Sequence, residues 1–423
     1  MGTRQESVGS DPADDDRAAY DYEGGRTEHP AFVDDLDERI DGVVRFDEYT
    51  RQLYATDASA YEVTPIGVVF PRSTADVAAV VSYCAERDTP VLPRGGGTSL
   101  AGQAVNRAVV LDFSRFMDDL QSIDPADRRA RAQVGVTLGE LNDSLAEHDL
   151  KFAPDPAWGD KSVLGGAIGN NSTGAHSLKY GKTDAYVEEC EVVLADGTAT
   201  TFGEVSLDEL RARAGEGGLE GQIYAAVARL VDDGRDAIAD AFPDLKRNVS
   251  GYNLDRLIDE AEGGSINLAR LLAGSEGTLA IVTEATVGLE PVPETKSLGL
   301  LSYPDLVDAM ADVPAILEHD PAAVEVLDDV LLELAAGTEE FGSLVEQLLP
   351  EDTGAVLLVE FYADNDPQGK QLVADLLADR VGDVSTDGVP QSEAESLTDD
   401  PRRAFDGQEA HDDAERERFW KLR

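Results

Sequence analysis

The run Pro93-Arg94-Gly95-Gly96-Gly97-Thr98-Ser99 combines what a phosphate-binding loop needs. Its three glycines leave no Cβ between backbone and ligand and permit φ > 0. Thr98 and Ser99 add hydroxyls beside backbone N–H groups, the ingredients of an anion-binding nest. A β-type run with proline at both ends, Pro90-Val91-Leu92-Pro93, would deliver this loop at the end of a strand. A second loop of the same character runs from Ser162 through Gly165-Gly166-Ala167-Ile168-Gly169-Asn170-Asn171-Ser172-Thr173-Gly174. A third, Gly274-Ser275-Glu276-Gly277-Thr278, directly precedes the strand-like Leu279-Ala280-Ile281-Val282-Thr283. Three such loops in one chain predict a large phosphate-containing ligand gripped from several sides. The first loop has no Gly-Lys-Ser/Thr ending, which argues against a P-loop. Leu100 stands where the dinucleotide fingerprint requires glycine, which argues against a Rossmann site.

The elements that must position these loops alternate between strand and helix. Ile66–Phe70 reads as a strand, and Thr74 can cap a helix with Val77, Val80, Val81 and Cys84 on one face. Val109–Asp112 is a further strand. Thr137 and Glu140 have capping-box spacing at the head of a helix carrying Leu138, Leu141 and Leu145. Glu191–Leu194 is a strand running into the tight turn Asp196-Gly197, and 206–245 has a helical pattern. Pro291-Val292-Pro293 marks a domain boundary. Beyond it Leu298–Tyr303 and Gly354–Phe361 read as strands, each leading into a helix, and Glu325-Val326-Leu327-Asp328 falls in a helix-patterned stretch. The arrangement expected is α+β. Residues 1–29 are polar and aperiodic and read as a disordered acidic N-terminus, 30–60 as a helical extension, 61–292 as the ligand-binding domain and 293–423 as a second domain.

Charge narrows the function classes. The 423 residues include 85 acidic against 35 basic, a formal charge of −50 spread along the whole chain. Such a surface repels nucleic acid and anionic membrane faces. It suits molar salt, where self-repulsion is screened within a few Å, and so a halophile's cytoplasm. The two cysteines, Cys84 and Cys190, sit in apolar stretches and read as buried thiols rather than a disulfide. No apolar run reaches the length of a membrane span and the acidic start has no signal-peptide layout, so a cytoplasmic chain is expected, peripheral to a membrane at most through an electron acceptor.

Taken in order, the first loop, Pro154-Asp155-Pro156, the Gly165–Gly174 loop running into His176-Ser177-Leu178-Lys179-Tyr180-Gly181, and the Gly274–Thr278 loop resemble a known family. It is the FAD-linked 2-hydroxyacid dehydrogenases of the vanillyl-alcohol oxidase/PCMH flavoproteins, whose members oxidise D-lactate, glycolate or D-2-hydroxyglutarate. The resemblance spans roughly residues 45–423. It implies a PCMH-type FAD-binding domain of two α/β subdomains, followed by a partial ferredoxin-like α+β cap with helices on one face of its sheet. It implies that Arg94, Gly95, Gly96, Gly97, Thr98 and Ser99 hold the FAD diphosphate, with Pro154 and Asp155 stiffening the approach. Ser162, Gly165, Gly166, Gly169, Asn170, Asn171, Ser172 and Gly174 would line the other side, and Glu276, Gly277, Ile281 and Val282 would close over the adenosine half. No His or Cys occurs in the first loop, so the FAD is expected to be non-covalent. His176 is a candidate for flavin contact and proton transfer, and Lys179 can place positive charge near a reduced flavin.

Oxidising a 2-hydroxy acid also needs a base and a cation for the carboxylate. Relatives take the base from a His-x-Gly-Asp-Gly-Asn-x-His motif, which in several of them holds a divalent metal; none of the five histidines here stands in such a motif. In relatives that motif follows a Trp-x-x-Arg segment, reached here only at Trp420-Lys421-Leu422-Arg423. The chain is therefore expected to stop inside the cap, with Arg423 on the substrate carboxylate. No metal site is expected within it, and a divalent metal or iron–sulfur clusters would belong only to a missing C-terminal part. The reading is an FAD-dependent dehydrogenase of D-2-hydroxy acids, D-lactate first, passing electrons to an acceptor protein or quinone. Glycolate and D-2-hydroxyglutarate are the rival substrates, and an FAD-binding electron-relay subunit or a reductase or synthase on the same fold are the rival functions. A homodimer is compatible with this reading, though no residue specifies one.

Overall fold

The computed structural model describes residues 30–154, 158–243, 245, 248–338, 341–381 and 403–422. They divide into two units. One takes the described residues of Met1–Phe152, Pro156–Ser172 and Lys182–Glu290; the other takes those of Ala153–Asp155, Thr173–Gly181 and Pro291–Arg423.

Two sheets, of four and five strands, form the bulk of the first unit. In the smaller, the strands Gly67–Phe70, Val109–Asp112 and Val91–Arg94 run parallel, with Val43–Arg45 antiparallel at one edge. All four residues of Gly67–Phe70 and of Val109–Asp112 are buried, the continuous apolar pattern of a sheet covered on both faces. The helix Thr74–Ala85 packs Val77, Val80, Val81 and Cys84 onto Val69, Val109 and Leu111. Its cap is Ser73, one residue before the expected Thr74: the Ser73 hydroxyl accepts from the Asp76 amide at 3.2 Å. The stretch 30–60 is not helical throughout, because Val43–Arg45 finds an open edge of this sheet and pairs with Val68–Phe70.

The larger sheet is antiparallel, in the order Leu120–Asp124, Arg129–Gln133, Ile281–Gly288, Val187–Val193, Ala199–Phe202. In Ile281–Gly288 buried and partly exposed residues alternate, as in a sheet with one solvated face. On that face Arg131 alone reaches Glu189 at 2.9 Å, Glu284 at 2.8 Å and Glu191 at 3.4 Å. The capping box at Thr137 and Glu140 forms as expected. Cys84 and Cys190 are free and buried, and burial pushes both thiols up to about 12.

The second unit is built on an antiparallel sheet in the order Ala323–Asp328, Ala355–Ala363, Thr295–Tyr303, Asp406–Ala410. Helices cover both of its faces, not one. Leu301, Tyr303, Leu357, Val359 and Phe361 meet Ala309, Ile316, Val373 and Leu376 of the helices Leu306–Leu317 and Asp366–Arg380. Leu298, Leu300, Val356 and Leu358 meet Leu332, Leu348 and Phe419 of three further helices on the other side. The uninterrupted run Ala355-Val356-Leu357-Leu358-Val359 carries that information, since a half-exposed strand would alternate. The segment Glu325–Asp328 is strand rather than helix: its four residues pair along Ala355–Ala363, and Asp328 then caps the helix Asp329–Ala336.

Inside this unit Arg380 is 1 % exposed and holds Asp312 at 3.1 Å, while Tyr303 donates to the same carboxylate at 2.9 Å. Removing one member of a buried ion pair strands the other in low dielectric. Arg380→Met is therefore expected to lower stability by about 3–5 kcal/mol, read from the urea midpoint in high salt. An unchanged midpoint would show that Asp312 finds other compensation.

Candidate functional site

The three glycine loops converge within the first unit. The first follows directly on the strand Val91–Arg94, as its flanking prolines suggested. The second winds into the short helix Leu164–Asn170, and the third is fastened to that helix by Gly274 N–H donating to Ile168 O and Glu276 N–H to Gly169 O, both at 3.0 Å. The hydroxyls of Thr98 and Ser162, 3.2 Å apart, tie the first loop to the second. Gln103 joins first to third by donating to Glu276 at 3.2 Å and bonding the Ser99 hydroxyl. Between them lies a cleft of about 920 Å³, part of it open to solvent. Phe113, Val134, Leu272 and Val282 give it apolar walls.

Two properties show what the cleft is built for. The backbone N–H groups of Gly95, Gly96, Gly97, Thr98 and Ser99 donate to no protein acceptor among the described residues, and all five residues line the cleft. A row of unclaimed donors is an anion cradle. The glycines then separate by what a Cβ would meet. At Gly95 and Gly96 it would collide with Val163 Cγ2 at 2.2 Å and Lys161 O at 2.0 Å, so these glycines serve loop packing. At Gly166 and Gly169 it would find no protein atom closer than 3.7 Å and 3.8 Å, so it would occupy the cleft itself.

A second cluster lies within the other unit. His176 precedes the short helix Ser177–Tyr180, and its Nε2 is 2.8 Å from Glu360 Oε1; Trp420 Nε1 donates to Glu360 Oε2 at 3.0 Å. Glu360 is 2 % exposed. Burial works against its ionisation, but the hydrogen bond and charge of His176, with Lys296 and the Trp420 N–H, outweigh it and hold the carboxyl below the usual glutamate range.

Residues 65–203 match the FAD binding domain, and residues 292–423 match the C-terminal domain of FAD linked oxidases. The chain belongs to the FAD-linked oxidases. It is 31% identical over 375 residues to D-2-hydroxyglutarate dehydrogenase of Pseudomonas putida, covering 87% of this chain and 37% of that one. It is 32% identical to glycolate oxidase subunit GlcD of Bacillus subtilis, covering 76% and 57%, and 26% identical to mitochondrial D-lactate dehydrogenase [cytochrome] 1 of Saccharomyces cerevisiae, covering 69% and 42%. The chain thus spans between about a third and somewhat over half the length of these relatives. Among solved structures it shares its fold with alkyldihydroxyacetonephosphate synthase, at a TM-score of 0.59 and 20% identity over 84% of this chain and 61% of that one.

The cofactor of this FAD-linked oxidase is FAD, and the cleft fits it: unclaimed amides for a diphosphate, Cβ-free walls at Gly166 and Gly169, and apolar sides for rings. Arg94, Gly95, Gly96, Gly97, Thr98, Ser99, Ser162, Gly165, Gly166, Gly169, Asn170, Ser172, Glu276, Gly277 and Val282 all line it. Arg94 contributes structure rather than charge, since its guanidinium donates to the carbonyls of Tyr54, Thr56 and Ala104. Asn171 and Ile281 turn elsewhere. Asn171 takes the left-handed conformation that ends the helix, and its side chain accepts from the buried Asp184 amide at 2.9 Å. Ile281 joins the core with Val77 and Val109. Pro154, Gly174 and His176 belong to the second unit, and Asp155 and Arg423 lie outside the described residues. Sequence reasoning missed Gln103, whose bridge depends on tertiary placement. It also missed Glu360, although a lone carboxylate inside Val356-Leu357-Leu358-Val359-Glu360-Phe361 is a signal in itself.

Proposed function

We propose that this FAD-linked oxidase serves the oxidation of a D-2-hydroxy acid to the 2-oxo acid, with D-2-hydroxyglutarate as the preferred substrate. What supports the reading most is the succession, in one chain, of the three-loop cradle and the FAD-linked-oxidase C-terminal domain. The relatives that share this succession are named for D-2-hydroxyglutarate, glycolate and D-lactate. The higher identity to the relative named for D-2-hydroxyglutarate than to the one named for D-lactate supports this order, the reverse of the one expected from the sequence. FAD, when bound, supplies the acceptor for the hydride leaving the carbon that bears the hydroxyl. The amides of Gly95 to Ser99 would hold its diphosphate, and Phe113, Val134 and Val282 would keep water from its rings. His176, oriented by Glu360, is the side chain of the second unit best equipped to hold or move a proton. Electrons would pass on to an acceptor protein or quinone.

A second reading, an FAD-binding relay subunit, keeps the three-loop cradle and gives up the substrate chemistry. One experiment separates them. The FAD-loaded protein is mixed anaerobically, in molar KCl, with D-2-hydroxyglutarate, glycolate or D-lactate, and its flavin absorbance is followed. Bleaching is expected, fastest with D-2-hydroxyglutarate. Flavin that no 2-hydroxy acid reduces, but that light and a sacrificial donor do, would overturn the dehydrogenase and leave the relay.

A further inference from the structure

The second unit gathers positive charge around one ring. Tyr362 lies two residues beyond Glu360 on the same strand, hence on the same face of the sheet. Its ring stacks on the His176 imidazole with centroids 5.6 Å apart. Lys179 Nζ is 5.7 Å and Lys296 Nζ 5.8 Å from the same Tyr362 centroid, and the Tyr180 ring lies 6.0 Å away. Neither lysine is within ion-pair distance of a carboxylate among the described residues. Glu360 directs both its oxygens to His176 and Trp420. Glu325 and Asp328 are the acids of the neighbouring strand Ala323–Asp328, which packs against the Ser177–Tyr180 helix.

Three basic side chains around one aromatic ring are out of keeping with a chain of formal charge −50. In molar salt an organic anion feels only the charges within a few Å, so it is held only where the local charge is positive. We propose that His176, Lys179 and Lys296 form a carboxylate-recognition site around the Tyr362 ring, with Glu360 as the positioning residue that fixes the imidazole. The site rests on the function proposed above for its ligand class and deepens it. D-2-hydroxyglutarate carries a second carboxylate that D-lactate lacks, and this cluster would select for it. The lysines supply point charges and the imidazole a directed N–H, the combination that gives charge-assisted hydrogen bonds to a carboxylate.

The test reads binding without flavin turnover. Protein with isotope-labelled histidine, free of FAD and folded in KCl, is titrated with D-2-hydroxyglutarate and separately with D-lactate. The His176 resonance is assigned by its loss in His176→Gln. It is expected to move saturably with the dicarboxylate and little with D-lactate. Lys179→Met with Lys296→Met, at exposed and half-buried positions that should not disturb folding, should weaken the response about tenfold. Glu360→Gln should lower the pH midpoint of the His176 resonance, because a neighbouring negative charge is lost; a purely structural Glu360 would leave that midpoint in place. A His176 resonance indifferent to D-2-hydroxyglutarate, or a double lysine variant that binds like the parent, would overturn the site even if the acid still bleaches bound flavin. Saturable binding with no bleaching would sustain the site and sink the dehydrogenase.

Discussion

Gly166→Leu is expected to empty the protein of FAD without unfolding it. A Cβ at Gly166 meets no protein atom closer than 3.7 Å, so leucine enters the cleft and not a neighbour. Leucine is also the better helix former, by roughly 0.5–1 kcal/mol over glycine, so the helix Leu164–Asn170 should not suffer. Forcing extra methylenes into a space that a ligand fills costs about 1–3 kcal/mol, or roughly ten- to a hundredfold in FAD affinity at 1.4 kcal/mol per decade. Gly96→Ala provides the contrast. Its Cβ would stand 2.0 Å from Lys161 O, which must move, so FAD binding and the thermal midpoint should fall together. The measurement is flavin absorbance after gel filtration in molar KCl, with circular dichroism on the same samples. If Gly166→Leu retains FAD like the parent, the cleft between the three loops is not where the cofactor sits.

Lowering the salt is expected to unfold the chain outright. Eighty-five acidic residues against 35 basic ones leave a formal charge of −50, and most of those carboxylates can have no basic partner of their own. The larger sheet shows how this is managed: Glu189, Glu191 and Glu284 share the single Arg131. At about 1 M salt the screening length is about 3 Å, shorter than the spacing of neighbouring strands, and the repulsion among these acids is local. At about 0.1 M it grows to roughly 10 Å and many carboxylates repel at once, against a net stability of only about 5–15 kcal/mol. Far-UV circular dichroism followed from roughly 2 M to 0.05 M KCl should therefore lose its folded signal. A spectrum that stays the same across that range would refute adaptation to molar salt.

What could be read in advance was local. The strand before Gly95, the capping box at Thr137 and the apolar face of Thr74–Ala85 follow from short-range periodicity and hydrogen-bond chemistry, and each forms. The misreadings were of another kind. Glu325–Asp328 became strand because the neighbouring Ala355–Ala363 offered an open edge, and pairing overrode a weak helical pattern. Asn171 looked like its neighbour Asn170, yet a left-handed turn at the helix end aims it at Asp184 while Asn170 lines the cleft.

By itself the sequence determined the cofactor and marked the loops suited to hold it, because glycines, hydroxyls and free amides make an anion cradle wherever the chain places them. It determined the charge as well, since that is a property of composition alone. Tertiary structure decided which glycines open onto the cleft and which pack against the protein, a distinction resting on the Lys161 carbonyl near Gly96 and the open space at Gly166. It also decided that His176 meets Glu360, 184 positions away. No local pattern encodes such a meeting: it depends on strand register and helix docking, where the burial of Leu358, Phe419 and their neighbours fixes the geometry and the polar pair is carried to its place.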